Sequence, residues 1–149
     1  MIISLFQGPP SPPGYPEVKF PKDRESTREE MKISRKNGEP LYERAQIVSA
    51  FVRSGKRVVL SRRASQRLMD NYDMKVRDVS EIIDNNFCLS QKAQYNGSSW
   101  CDFNGMWAAN DEYLLNPNEN NDFYCKLFIR SKGSVLLSST SFHPPRYSY

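Results

Sequence analysis

Seven of the ten prolines stand in the first forty residues, at positions 9, 10, 12, 13, 16, 21 and 40. Proline lacks a backbone N–H and holds φ near −65°, so neither a helix interior nor a central strand can run through them. The run from Gly8 to Pro16 therefore reads as extended or polyproline-like. Lys22–Lys36 is densely charged, with few apolar residues, and offers at most a frayed helix. The chain divides into a proline-rich arm, residues 1–40, and a domain over residues 41–149. At 149 residues, 38% of them apolar and 12% aromatic, it can build one real core.

Beyond Leu41 the hydrophobic period changes once. Ile47, Val48, Phe51 and Val52 form one helical stripe within Tyr42–Ser54, and Gly55 follows where a helix end tolerates positive φ. Arg57–Leu60 is a short β-prone run. Ser61 can cap a helix over Arg62–Asn71 with Ala64 and Leu68 inward, and Val76–Asn85 repeats the helical pattern. After Asn85 the chain reads as strands. Phe87–Tyr95 and Ser99–Phe103 flank Asn96-Gly97, a hairpin signal. Gly105–Asn121 reads as loop, and its carboxylates Asp111 and Glu112 as solvated loop groups. Trp100, in a strand, is expected to be structural, whereas Trp107 begins the loop. Two β-prone runs on either side of Lys132-Gly133 predict a closing hairpin that ends at Pro144-Pro145. Helices followed by four antiparallel strands make an α+β fold, with the helices packed on one face of a twisted antiparallel sheet.

The closing hairpin carries the most reactive side chains. Alternation puts Tyr124, Lys126, Phe128 and Arg130 on one side of the first strand. It groups Val135, Leu137, Ser139, Ser141 and His143, the only histidine, on the return strand. A phenol, an ammonium and an imidazole near one end of a hairpin can transfer protons, although such residues also decorate solvated faces.

Composition narrows the chemistry. Cys88, Cys101 and Cys125 leave one thiol unpaired and form no Cys-x-x-Cys, so free buried thiols are expected rather than a zinc site. There is no Gly-rich phosphate loop, His-Glu-x-x-His helix or serine elbow, and no metal or cofactor is predicted. No apolar run has transmembrane length and no signal peptide is visible, so a cytoplasmic protein without membrane contact is expected. Net charge is +4, and Arg44–Arg67 holds seven basic residues and no acidic one. That is either a phosphate-binding footprint or a basic solvated helix face. RNA cleavage fits these limits, because the ribose 2′-OH is its own nucleophile and His, Tyr, Lys and Arg suffice for the rest.

Several segments in order strengthen that expectation: Ser54-Gly55-Lys56-Arg57-Val58, Ser61-Arg62-Arg63-Ala64, Asp84-Asn85-Asn86-Phe87, Trp100-Cys101-Asp102-Phe103, Phe123-Tyr124-Cys125-Lys126 and Ser141-Phe142-His143. In this order the chain resembles, from about Tyr42 to His143, the MqsR family of toxin–antitoxin endoribonucleases within the RelE-like fold group. The resemblance implies a ribosome-independent, metal-free mRNA interferase toxin held by a cognate antitoxin protein. It places the family's catalytic tyrosine at Tyr124 and its C-terminal lysine at His143. Leu89 and Cys101 stand where the family carries a catalytic lysine and a functional glutamine. Lys126, two residues from Tyr124, completes the expected catalytic set, and Arg57, Arg62, Arg63 and Lys92 the expected RNA contacts. Lys92, three residues past Leu89, falls on the opposite strand face unless a bulge intervenes. A non-catalytic nucleic-acid- or protein-binding module of the same fold, or the RNase domain of a delivered effector, are the competing readings.

Overall fold

The computed structural model describes residues 32–33, 38–132 and 134–144. The arm expected over residues 1–40 lies almost wholly outside the described residues. In chain order the elements are β1 (Lys32–Ile33), α1 (Arg44–Arg53), β2 (Val59–Leu60), α2 (Arg62–Tyr72), α3 (Val76–Ile83) and a π-helical turn (Asp84–Leu89). The strands β3 (Gln94–Phe103), β4 (Met106–Leu115), β5 (Phe123–Lys132) and β6 (Ser134–His143) follow. The described strands form one open sheet in the order β1-β3-β4-β5-β6-β2, antiparallel except for β2 beside β6. Mixed helix and sheet, helices before the main strands, is the architecture expected.

Local chemistry sets the helices where the sequence placed them. The Gln46 side chain accepts from the Glu43 N–H at 2.7 Å, opening α1, and Gly55 takes φ 74° just past its end. Ser61 Oγ accepts from the Ala64 N–H at 3.1 Å and caps α2. The inward residues Ile47, Ala50, Phe51, Leu68, Val79 and Ile83 join one core cluster with Trp100, Tyr113, Leu127, Leu137 and Phe142. Both α1 and α2 lie against β6.

The strands differ from expectation in three places. The stretch predicted as a strand from Phe87 begins as the π-helical turn, because buried Asn86 is held on two sides. Its amide donates to Ile82 O at 2.8 Å and to Asn116 Oδ1 at 2.9 Å, and its Oδ1 accepts from the Asn116 N–H at 2.8 Å. Asn96-Gly97 is no hairpin: pairing with β4 runs through it, with a bulge between Tyr95 and Gly97 and φ 125° at Gly97. The reversal is at Asn104-Gly105, where φ is 51° and 91° and Phe103 pairs with Met106, the backbone a two-residue hairpin demands. Consequently the predicted loop Gly105–Asn121 contains the ten-residue strand β4, and only its last part, from Asn116, is loop. Trp100 is buried in β3 as expected. Trp107 belongs to β4 and not to a loop, and its side chain lies outside the described residues.

Strand β4 is held by one carboxylate. Asp111 is fully buried and accepts hydrogen bonds from the Leu41 and Tyr42 N–H groups, each at 2.9 Å, and from Ser98 Oγ at 2.6 Å. The Tyr95 hydroxyl meets Ser98 Oγ at 2.6 Å, and the Tyr42 hydroxyl donates to Ala109 O at 3.0 Å. The approach to α1 is thereby fastened to the middle of the sheet.

The sheet curls. Strands β4 and β5 pair only from Asp111 to Leu115, whereas β3–β4 and β5–β6 pair along their lengths. At the far end Phe103 and Phe128, from β3 and β5, meet edge-on at 5.0 Å, with Arg130 5.6 Å over the Phe103 ring.

Asp111→Ala leaves at least three buried donors without their acceptor, each worth about 1–3 kcal/mol, so we expect a loss on the order of 3–5 kcal/mol in urea unfolding. Asp111→Asn, which keeps one acceptor oxygen, should lose less. Trp100→Ala should cost about 3–5 kcal/mol and more than Trp107→Ala in the same assay.

Candidate active site

Register decides which side chains meet. Within β5, Phe123, Cys125, Leu127 and Ile129 point one way and Tyr124, Lys126, Phe128 and Arg130 the other. On β6 a bulge interrupts the alternation: Lys126 pairs with Ser141, but Leu127 pairs with Ser139. The even grouping expected from Val135 to His143 is therefore wrong. Leu137 and Ser139 face the core beside Ile129 and Leu127, while Ser141 and His143 turn to the side of Lys126 and Tyr124. One inserted residue, Thr140, reverses the phase.

The three expected catalytic residues come together on this face. Tyr124 and His143 are direct cross-strand partners, their ring centroids 6.3 Å apart at 59°. His143 Nδ1 lies 2.8 Å from Pro144 O. A carbonyl only accepts, so Nδ1 carries the proton and the neutral ring has its acceptor at Nε2. Strand β4 adds Glu112 opposite Lys126 and Leu114 opposite Tyr124. All of these side chains are half-buried. Further along the same face Asn110, Phe128 and Ser138 are fully buried, so the reactive groups sit where a closed part of the sheet opens to solvent. Glu112 escapes sequence reasoning because Gly105–Asn121 reads as loop. The sequence signal for β4 is Asn104-Gly105, ten residues before Leu114.

The basic run divides. Arg44 is structural: its Nη2 donates to Ala93 O at 2.8 Å and its guanidinium lies over Phe87 at 5.3 Å and Tyr113 at 5.9 Å. Lys56 pairs with Asp84 at 3.3 Å. Arg53, Arg57, Arg62 and Arg63 are exposed. Arg62 and Arg63 occupy the first turn of α2, and the Arg62 N–H donates to Asn104 Oδ1 at 2.8 Å, joining that turn to the β3–β4 reversal. Lys92 is corrected: it stands in the loop before β3, not on a strand face, and pairs with Glu119 at 3.0 Å. Leu89, 73% exposed, ends the π-helical turn, and Cys101 lies on β3 with Sγ 3.3 Å from Ser99 Oγ.

The thiols are separate. Cys125 faces the core beside Tyr113 and Phe142, and Cys101, paired with Ala108, faces the other way. Burial, with the Glu112 charge adding to it, pushes the Cys125 thiol well up, and burial with Asp111 does the same for the Tyr113 phenol. Cys88 is also raised, by burial and then by its hydrogen bond to Asp84.

A raised thiol pKa favours the fold while the unfolded thiol stays protonated, below about pH 8.5, and that advantage drains away as pH rises further toward the folded value. Urea unfolding should therefore show a loss on the order of 1 kcal/mol per pH unit above 8.5 that is absent from Cys125→Ala. Native Cys125 should resist alkylation at pH 8.

Among the described residues no helix is long and apolar enough to cross a membrane. The chain matches no protein-family model, no curated protein and no solved structure.

Proposed function

We propose that this chain is a metal-independent endoribonuclease of the RelE-like kind, a cytoplasmic mRNA-cleaving toxin restrained by an antitoxin protein. The observation that carries the reading is the cross-strand pair Tyr124–His143 with Lys126 beside it on one half-open face. Cleavage of RNA needs a proton taken from the 2′-OH, a proton given to the departing 5′ oxygen, and positive charge at the phosphorane. Tyr124 orients or deprotonates the 2′-OH, His143 protonates the leaving oxygen, and Lys126 with Arg62 or Arg63 holds the phosphate. Products would carry a 2′,3′-cyclic phosphate and a 5′-OH. The exposed Arg57, Arg62 and Arg63 supply sequence-independent attraction to the backbone. Lys92, already paired with Glu119, contributes to RNA only if that pair opens.

A non-catalytic binding module remains the second reading, favoured by exposed Leu89 and by Cys101 at two positions where the resembling family carries working polar groups.

Purified protein should cut a defined RNA in EDTA without ribosomes. His143→Ala should lower the single-turnover rate on the order of 10²–10⁴-fold, and His143→Lys should recover part of it. Because the acid must be protonated, the wild-type rate should fall as pH rises through the imidazole range. Binding of a 2′-deoxy analogue should barely change. Wild-type protein that cuts no RNA, with or without ribosomes, would favour the binding module. Replacing Arg62 and Arg63 by Ala should weaken binding and flatten its log–log salt dependence by roughly one unit per lost contact.

A further inference from the structure

One ionisable side chain on the reactive face has no part in the reaction as proposed so far. Glu112 lies in a row running Gly97–Glu112–Lys126–Ser141 across β3, β4, β5 and β6, and the adjacent row is Leu114–Tyr124–His143. We infer that Glu112 is the group that takes the 2′-hydroxyl proton, with Tyr124 orienting the ribose. The inference rests on the endoribonuclease reading and assigns its base.

Donor and acceptor character decides between the two candidates for that role. A carboxylate offers two oxygens that accept, whereas a phenol is itself a donor and suits orienting a ribose hydroxyl. His143 must be protonated to act as the acid, so it cannot also be the base in the same step. The groups facing Glu112 are Lys126 and Tyr124 from β5 and His143 from β6; β3 contributes Gly97 and Ser99, with Cys101 its nearest titratable group. Glu112 is the one carboxylate among them. Its neighbour Asp111 turns to the core and is saturated there.

Spacing fits an in-line displacement. Glu112 and His143 stand two strands and two residues apart, roughly 12 Å between backbones at ordinary sheet spacings, with Lys126 and Tyr124 between them. Glutamate and histidine side chains are long enough to reach a phosphodiester lying between those positions, where Lys126 supplies a cation. On the far side of Glu112, Gly97 has no side chain, and a Cβ built there meets nothing within 4 Å, so the face is open where a ribose must enter. In the step, the Glu112 carboxylate accepts the 2′-OH proton as the O2′–P bond forms. The P–O5′ bond breaks, and O5′ takes the proton from His143. Solvent then returns both groups to their starting states.

The competing reading is that Glu112 merely pairs with Lys126 across the strands. Single-turnover cleavage across pH separates them, using an ordinary RNA and one with sulfur replacing the 5′ bridging oxygen at the cut, whose thiolate leaves without an acid. Glu112→Gln should cut the ordinary RNA 10²–10⁴-fold more slowly and lose the low-pH limb of the profile, yet bind the 2′-deoxy analogue at least as tightly. The sulfur substrate should rescue His143→Ala to within about tenfold of wild type and leave Glu112→Gln slow. Glu112→Asp, keeping the carboxylate on a shorter arm, should retain the limb at reduced rate, and guards against loss of fold in the glutamine variant. Glu112→Gln at wild-type rate with an unchanged profile overturns the inference alone, as does its rescue by the sulfur substrate. Wild type that cuts neither RNA overturns the endoribonuclease reading and this inference with it.

Discussion

The buried Asp111 carboxylate ties the approach to α1, strand β3 and strand β4 together at one point. An ionised group in a core survives only if its lone pairs are met by donors. Here the donors come from two remote places, the backbone at Leu41–Tyr42 and the Ser98 side chain. The first ties the approach to α1 onto the sheet, and the second pins β4 against β3. The phase of β4 follows. With Asp111 committed to the core, Glu112 must face the other way, beside Lys126, Tyr124 and His143. One side chain that looks like an error in a strand thus orders the core and presents its neighbour for chemistry.

A second constraint acts on β6. Leu137 and His143 are six residues apart and would share a face in a regular strand. Leu137 is fully buried beside Ile129, yet His143 stands against Tyr124 on the opposite face. The bulge at Thr140 makes both possible by changing phase between them. The comparable bulge at Tyr95–Gly97 lets β3 keep Tyr95 against Tyr113 and still leave Gly97 bare opposite Glu112. Irregularities of this kind re-aim side chains at the border of a working surface.

Sheet curl supplies the boundary of that surface. Phe103 and Phe128 close one end of the face, where Asn110 and Ser138 are fully buried, while Tyr124, Lys126, His143 and Glu112 stay half-open at the other. A gradient from dry to wet along a single sheet face is a useful setting for proton transfer, since low dielectric strengthens each interaction with a charged substrate.

The helices were legible in the chain alone, because Ser61, Gly55 and the apolar stripes act locally, through bonds and contacts within a few residues. The closing hairpin was equally legible, but its turn register alone sets Phe142 opposite Tyr124, and only the bulge at Thr140 brings His143 there. Whether Asn96-Gly97 or Asn104-Gly105 turns the chain was settled by tertiary packing. Both suit a reversal, and the choice fell to the register that buries Trp100 and saturates Asp111. The same holds for the π-helical turn, where Asn86 answers to Asn116 thirty residues away, and for Lys92 and Arg44, whose charges are held by Glu119 and by an aromatic pair. Those outcomes depend on partners that meet only when the sheet has closed over the core, so no local pattern contains them.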